Sequence, residues 1–375
     1  MQNKLNNKIY NEQFLLLAFI SLVTFKVVML PQYLAKTAGS QSYMTMFYMI
    51  AIEIMMLGIV YGITKNGSIL QLEIPKWLKG IFAILVFSSS LIKSTVLGSE
   101  GVSYISTSLY ANVSWSFIML ALMIVCLYLA HKGGKVLGRT VQIFFWIMIF
   151  ALVFYAVFSN SNLEIINLMP FKISSDLAVA GDKFLMWFGD FTPLLFMSVQ
   201  PSPNRKKSVL AIWIILAIVA TFICTVGLML AFICIFGASG EIVGNAFINV
   251  SSLNKIAFMI GSVDLPTVIS WLIMCVIKFS LLLFAMVECA KFFFGNKALV
   301  SIACGIIVYA VIVYGIGNLK ACYNLATSWL RYFAFFAEFG VTIAAYIAMR
   351  ISMRKKQNSS TEQLANNQGE AYEKA

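Results

Sequence analysis

Apolar residues fill long stretches of the chain, and short polar segments separate them. Residues 43–64, 113–130, 141–158, 208–236 and 325–349 are apolar over nearly their whole length. A helix needs about 20 such residues, each adding about 1.5 Å, to cross a bilayer. Strand-type alternation is absent, so helices and not a closed barrel are expected to satisfy the backbone in lipid. The pattern divides into ten predicted spans, at about 14–37, 43–64, 77–98, 113–131, 137–159, 180–200, 207–236, 264–294, 297–316 and 325–350. The expected fold class is an all-α integral membrane protein with about ten transmembrane helices. Residues 1–13 read as a cytoplasmic N-terminal segment and residues 14–351 as the membrane domain. Residues 352–375 are polar and read as a disordered cytoplasmic tail.

Composition agrees with this pattern and excludes several classes. Of 375 residues, 61% are hydrophobic and 11% charged, and the mean hydropathy is +0.88. Soluble domains are typically about 45–50% apolar and about 25% charged. The net charge of +12 does not point to nucleic acid, because the basic residues lie in short loops. With the N-terminus inside, eighteen Lys and Arg fall in cytoplasmic segments and six in outer ones, while Lys26, Lys93 and Lys278 lie inside spans. That asymmetry predicts a multi-pass inner-membrane protein with both termini in the cytoplasm. The first apolar run lacks a small-residue cleavage site and leads into Pro31, so it reads as a span and not a signal peptide. Among seven cysteines, six lie in spans, Cys322 lies in a short loop, and no pair has CxxC spacing. His131 is the single histidine. No metal site, cofactor or enzymatic activity is therefore expected, and no nucleophile–base pair or phosphate loop is apparent. The longer outer segments, about 160–180 and 237–263, are candidate caps.

Ionisable groups within a span are costly unless they are paired or face a cavity. Here they are Lys26, Glu53, Lys93, Asp190, Lys278 and Glu338, whose charges cancel. Lys93 sits nearer its span end than the others. The set fits mutual pairing inside a bundle, and structural ion pairs are one reading of it. Glu53 and Glu338 suit that reading best.

Two segments suggest more. The first span holds Thr24-Phe25-Lys26-Val27 and then Pro31, and the sixth holds Phe188-Gly189-Asp190-Phe191-Thr192-Pro193. Proline lacks the N–H that would bond the carbonyl four residues back, so Pro31 frees Val27 and Pro193 frees Gly189. The first and sixth spans open two successive groups of five. Interrupted helices at matching positions in two halves point to a transporter-type binding site. Half-helix N-termini suit a carboxylate, while freed carbonyls and Asp190 suit an ammonium. The candidate ligand-binding residues are therefore Thr24, Phe25, Lys26, Val27, Gly189, Asp190 and Thr192. Lys278, Ser280 and Glu53 are candidates for lining or coupling, and Pro31 and Pro193 mark the breaks. The alternative is that both prolines merely kink packed helices.

These residues and their order resemble the endospore germination permease family, the B subunit of nutrient-germinant receptors. The resemblance rests on Leu30-Pro31 with Leu34-Ala35 and Ala38-Gly39, on Asn167-Leu168-Met169-Pro170, and on Phe188-Gly189-Asp190 through Leu194-Leu195. Val276-Ile277-Lys278-Phe279-Ser280-Leu281 completes it. The chain departs from the family pattern by having no glycine between Ser21 and Leu30, by Gln32 where arginine is common, and by Asp190 where glutamate is common. The resemblance implies the amino acid–polyamine–organocation superfamily and its LeuT-type five-plus-five inverted repeat with broken helices 1 and 6. It also implies a spore inner membrane location and A- and C-type receptor subunits as partners. The expected function is nutrient sensing, with a small molecule, an amino acid, bound between helices 1 and 6. A proton-coupled amino-acid transporter is the alternative.

Overall fold

A computed structural model describes residues 7–72, 74–106, 113–158, 163–169, 176–202, 207–243, 246, 249–250 and 264–373. Parts of the two expected outer caps, part of the Pro201–Lys207 loop and the first residues of the N-terminal segment lie outside the described residues. The elements in order are β1 (Lys8–Tyr10), α1 (Asn11–Thr24), α2 (Leu30–Ala38), α3 (Ser42–Thr64), α4 (Lys76–Tyr104), α5 (Trp115–Lys132), α6 (Gly134–Phe158) and α7 (Asp176–Phe184). There follow β2 (Ser198–Gln200), α8 (Lys207–Phe222), α9 (Leu228–Phe236), α10 (Asp264–Phe294), α11 (Lys297–Ala310), α12 (Leu319–Thr327) and α13 (Leu330–Glu373). A π-turn, Ile223–Gly227, joins α8 to α9, and another, Val311–Ile316, follows α11.

Among the described residues, seven helical stretches are long and apolar enough to cross a membrane. The long helix α10 is the centre of the bundle. It packs along α4, α5 and α6 and touches α1, and its residues from Leu281 to Val287 are all buried. The outer helices keep large apolar side chains exposed, such as Phe117 and Tyr128 on α5 and Ile302 and Ile306 on α11. Apolar residues on all faces suit helices that meet lipid on one side and protein on the other.

Two segments leave the helical path. Residues 25–29 separate α1 from α2, and residues 188–191 separate a 3₁₀ turn, Leu185–Trp187, from a second one, Thr192–Phe196. Pro31 and Pro193 do not kink a continuous helix. Each sits in the first turn of the segment after its gap, where a missing N–H costs nothing. The start of α1 and the far end of the second interrupted segment are tied by a parallel bridge, Lys8–Tyr10 against Ser198–Gln200. Ser198 N donates to Asn7 O at 2.9 Å as part of it.

Three boundaries differ from the expectation. The third predicted span stops at 98, but α4 runs on to Tyr104, because the polar run Ser99-Glu100 is buried against the bundle and not solvated. The last predicted span starts at 325, but Ser328 ends α12 and its Oγ accepts from Leu330 N, which starts α13. Cys322 therefore lies buried in α12 and not in a loop, its thiol directed at the Val96 carbonyl at 3.7 Å. Finally, α13 continues through 352–373, the polar stretch expected to be a tail. That stretch is rich in Glu, Gln, Ala and Lys, residues with good helix propensity.

Candidate functional site

The two gaps meet at the centre of the bundle, and the chain's own charges fill the junction. A broken helix leaves N–H and C=O groups without intrahelical partners. In the second gap, Gly189 N donates to Glu53 Oε1 on α3 at 2.8 Å, and Thr192 N donates to Glu338 Oε2 on α13 at 3.2 Å. In the first gap the freed carbonyls at the end of α1 meet ammonium groups. Lys26 Nζ donates to Leu22 O at 2.9 Å, and Lys278 Nζ, from α10, donates to Ser21 O at 2.8 Å. Lys93 Nζ, from α4, donates to Phe188 O, and Ser21 Oγ donates to Asp190 O.

The same ammoniums pair the carboxylates. Lys26 lies 3.1 Å from Glu53, and Lys93 lies 2.9 Å from Asp190 and 3.5 Å from Glu338. Lys278 pairs with the other oxygen of Asp190. All six side chains are 0–1% exposed. Three cations and three anions thus form a neutral cluster that links α3, α4, α10 and α13 to both gaps. Rings add to it: Lys278 Nζ lies 4.6 Å from the Phe25 ring centroid and Lys26 Nζ 5.8 Å from that of Phe184. A cation over an aromatic face gains electrostatic attraction.

Backbone conformation marks the second gap as special. Gly189 has φ 87° and Asp190 φ 64°. Among the described residues, Asp190 is the one non-glycine residue with positive φ. Aspartate tolerates the left-handed region better than most residues, yet a cost of about 1–3 kcal/mol is typical and persists only where the surroundings hold it. Two lysines on Asp190 and two carboxylates on the flanking N–H groups supply that hold.

The sequence-predicted residues are therefore gathered here, in altered roles. Lys26, Glu53, Gly189, Asp190 and Lys278 form the cluster itself. Phe25 lies under Lys278, and Val27 is buried in the first gap. Thr24 Oγ1 bonds back to Ile20 O at 2.6 Å, and Ser280 Oγ to Val276 O at 2.6 Å, so both hydroxyls are spent on their own helices. Thr192 Oγ1 is buried with no hydrogen-bond partner. Lys93, expected to be shallower, is fully buried at the heart of the cluster because α4 extends beyond it on both sides.

Sequence reasoning missed Ser21, Tyr33, Glu100 and Trp187. Glu100 follows Lys93 by seven residues, two helical turns along one face, and that spacing is the signal that marks it. On the α2 side of the junction, Tyr33 packs on Trp187 at 5.1 Å and stacks on Tyr323 at 4.5 Å. Arg331 on α13 holds Asp182 on α7 through Nη2 to Oδ2 at 2.7 Å and Nε to Oδ1 at 3.3 Å. Among the described residues no group of three or more His, Cys, Asp or Glu has an arrangement that could hold a metal ion.

Comparison with known proteins gives a family and a fold. A family model described as "Spore germination protein" matches residues 8–318. Among solved structures, MhsT in complex with L-phenylalanine aligns with TM-score 0.58 and 12% identity, covering 91% of this chain and 97% of that one. Two mutants of the Eremococcus coleocola manganese transporter align with TM-score 0.52 and 11% identity, covering 92% of this chain and 76% of theirs. At these identities the likeness is one of fold. A search of curated protein sequences returns no significant match.

Proposed function

The chain belongs to the spore germination protein family and has the fold of LeuT-type membrane transporters, and from that premise we propose that it is the permease-like subunit of a nutrient-germinant receptor. In this reading it resides in the spore inner membrane with A- and C-type subunits and binds a small nutrient, an amino acid, where the two gaps meet. The observation that carries the reading is the junction itself. Two interrupted segments are held together by a neutral cluster of three lysines and three carboxylates. A zwitterion carries both charges that this cluster already matches, so it can exchange with one internal pair without leaving net charge in the bundle. The exchange releases one gap from the surrounding helices and biases a two-state bundle, which is what a sensor requires. MhsT, of similar fold, was solved with an amino acid bound, and that supports the ligand class.

The second reading is a proton-coupled amino-acid transporter. It is favoured by Lys278, a titratable group that bridges Ser21 O, in the last turn of α1 before one gap, to Asp190 in the other. The test is binding and uptake of labelled L-amino acids by proteoliposomes of the full chain, with and without a proton gradient. Saturable binding without accumulation is expected. Gradient-driven accumulation would replace the sensor by the transporter, and absence of binding even with A- and C-type subunits present would sink the amino-acid reading.

A further inference from the structure

Glu100 lies on α4 two turns from Lys93, is 1% exposed, and forms no ion pair among the described residues. The Trp187 indole is its hydrogen-bonding neighbour, and the Tyr33 hydroxyl and the Lys278 ammonium lie within electrostatic range of it. Lys278 is already committed to Asp190 and Ser21 O.

Three buried lysines face Glu53, Asp190 and Glu338 in a closed set, and Glu100 is a fourth buried acid outside it. A buried carboxylate without a countercharge rests as the neutral acid, and an arriving cation stabilises its ionised form. The neighbouring rings suit a cation. Tyr33, Trp187 and Tyr323 form a contiguous aromatic group, with centroids 5.1 and 4.5 Å apart, and aromatic faces attract ammonium groups. Tyr33 belongs to α2 and Trp187 to the turn before the second gap, so an occupant here touches both interrupted segments.

We propose that Glu100, with Trp187 and Tyr33, is the subsite for the primary ammonium group of the nutrient. The inference rests on the reading of the junction as a nutrient site and adds to it the ligand's orientation, with the ammonium toward α4 and the remainder toward the second gap. It makes amines and amino acids the ligand class and excludes neutral sugars.

The test uses the purified full chain in lipid nanodiscs. Propylammonium chloride is titrated while thermal unfolding is followed, with propanol and sodium chloride as controls. Propylammonium alone is expected to raise the midpoint. Glu100→Gln is expected to weaken that response about tenfold or more, the scale of a charge-assisted hydrogen bond, and Glu100→Asp to retain part of it. An equal response in Glu100→Gln overturns the proposal. So does a wild type that ignores propylammonium while Glu100→Gln moves only its pH dependence, because Glu100 is then a proton site. If Glu100→Gln does not fold, Trp187→Phe must weaken the response, and an unchanged response overturns the proposal.

Binding of a labelled L-amino-acid mixture separates the two readings. Unchanged amino-acid binding in Glu100→Gln removes the subsite and leaves the nutrient site standing. A Glu100-dependent propylammonium response without any amino-acid binding removes the amino-acid reading and leaves the subsite.

Discussion

Replacing Lys93 by Met keeps the length and most of the volume of the side chain and removes its charge. In the native structure Lys93 Nζ contacts Asp190 at 2.9 Å and Glu338 at 3.5 Å and donates to Phe188 O, with no exposure to solvent. After the substitution Asp190 still has Lys278. Glu338 keeps only Thr192 N, at 3.2 Å, and becomes a buried anion without a countercharge. Removing one partner of a buried pair costs about 3–5 kcal/mol, because the other charge is left uncompensated. Changing Glu338 to Gln in the same chain removes that orphan charge and keeps an acceptor for Thr192 N. The double variant should therefore lose only about 1–2 kcal/mol, the scale of the hydrogen bonds that vanish. Glu338→Gln alone leaves Lys93 paired with Asp190 and should cost about 1 kcal/mol or less, so the two substitutions are expected to couple by about 2 kcal/mol or more, the upper part of the range seen for residues sharing one network. Equilibrium unfolding in mixed micelles, followed by tryptophan fluorescence for wild type, both single variants and the double, measures all four corners. Adding salt should change the coupling little, since screening acts weakly on buried pairs. A Lys93→Met cost below about 1 kcal/mol, or additive losses in the double variant, would mean that the cluster does not hold its members as described.

Two further outcomes follow from the geometry of the second gap and of the Arg331–Asp182 pair. Gly189→Ala places a Cβ at positive φ and 3.1 Å from Glu338 Oε2, so a loss of about 1–3 kcal/mol is expected in the same unfolding assay; a neutral result would show that the gap relaxes freely. Arg331→Ala removes a partly exposed pair with Asp182, so stability should shift by only about 0–1 kcal/mol in that assay, and a loss of the size of the Lys93→Met cost would show that the pair behaves as a buried one.

Much of the fold is legible in the sequence because apolar runs of span length have few other uses, and the six charges within them stand out for the same reason. Their mutual neutrality is also legible. Which lysine meets which acid is not, since the pairs Lys26–Glu53, Lys93–Asp190, Lys93–Glu338 and Lys278–Asp190 join residues 27 to 245 positions apart. Such pairings are set by how helices pack and leave no local trace. Glu100 is hidden for a different reason. The run Gly98-Ser99-Glu100-Gly101 has the composition of a loop, and it is helical here within a buried stretch of α4. The prolines are legible as helix breaks, and what the sequence does not show is that each one starts the segment after its gap, in the first turn.

The gaps and the charges are parts of one device. Each gap exposes backbone donors and acceptors that a continuous helix would satisfy internally. In this chain Glu53 and Glu338 take the freed N–H groups, and Lys26, Lys93 and Lys278 take carbonyls at or beside the gaps. A charged side chain alone in lipid would be costly, and an interrupted helix alone would be as well. Together each removes the penalty of the other. It follows that anything bonding Gly189 N, Thr192 N or the carbonyls of Ser21, Leu22 and Phe188 must displace a charge the protein already provides. Under the proposed reading, a ligand suited to that exchange carries charge itself.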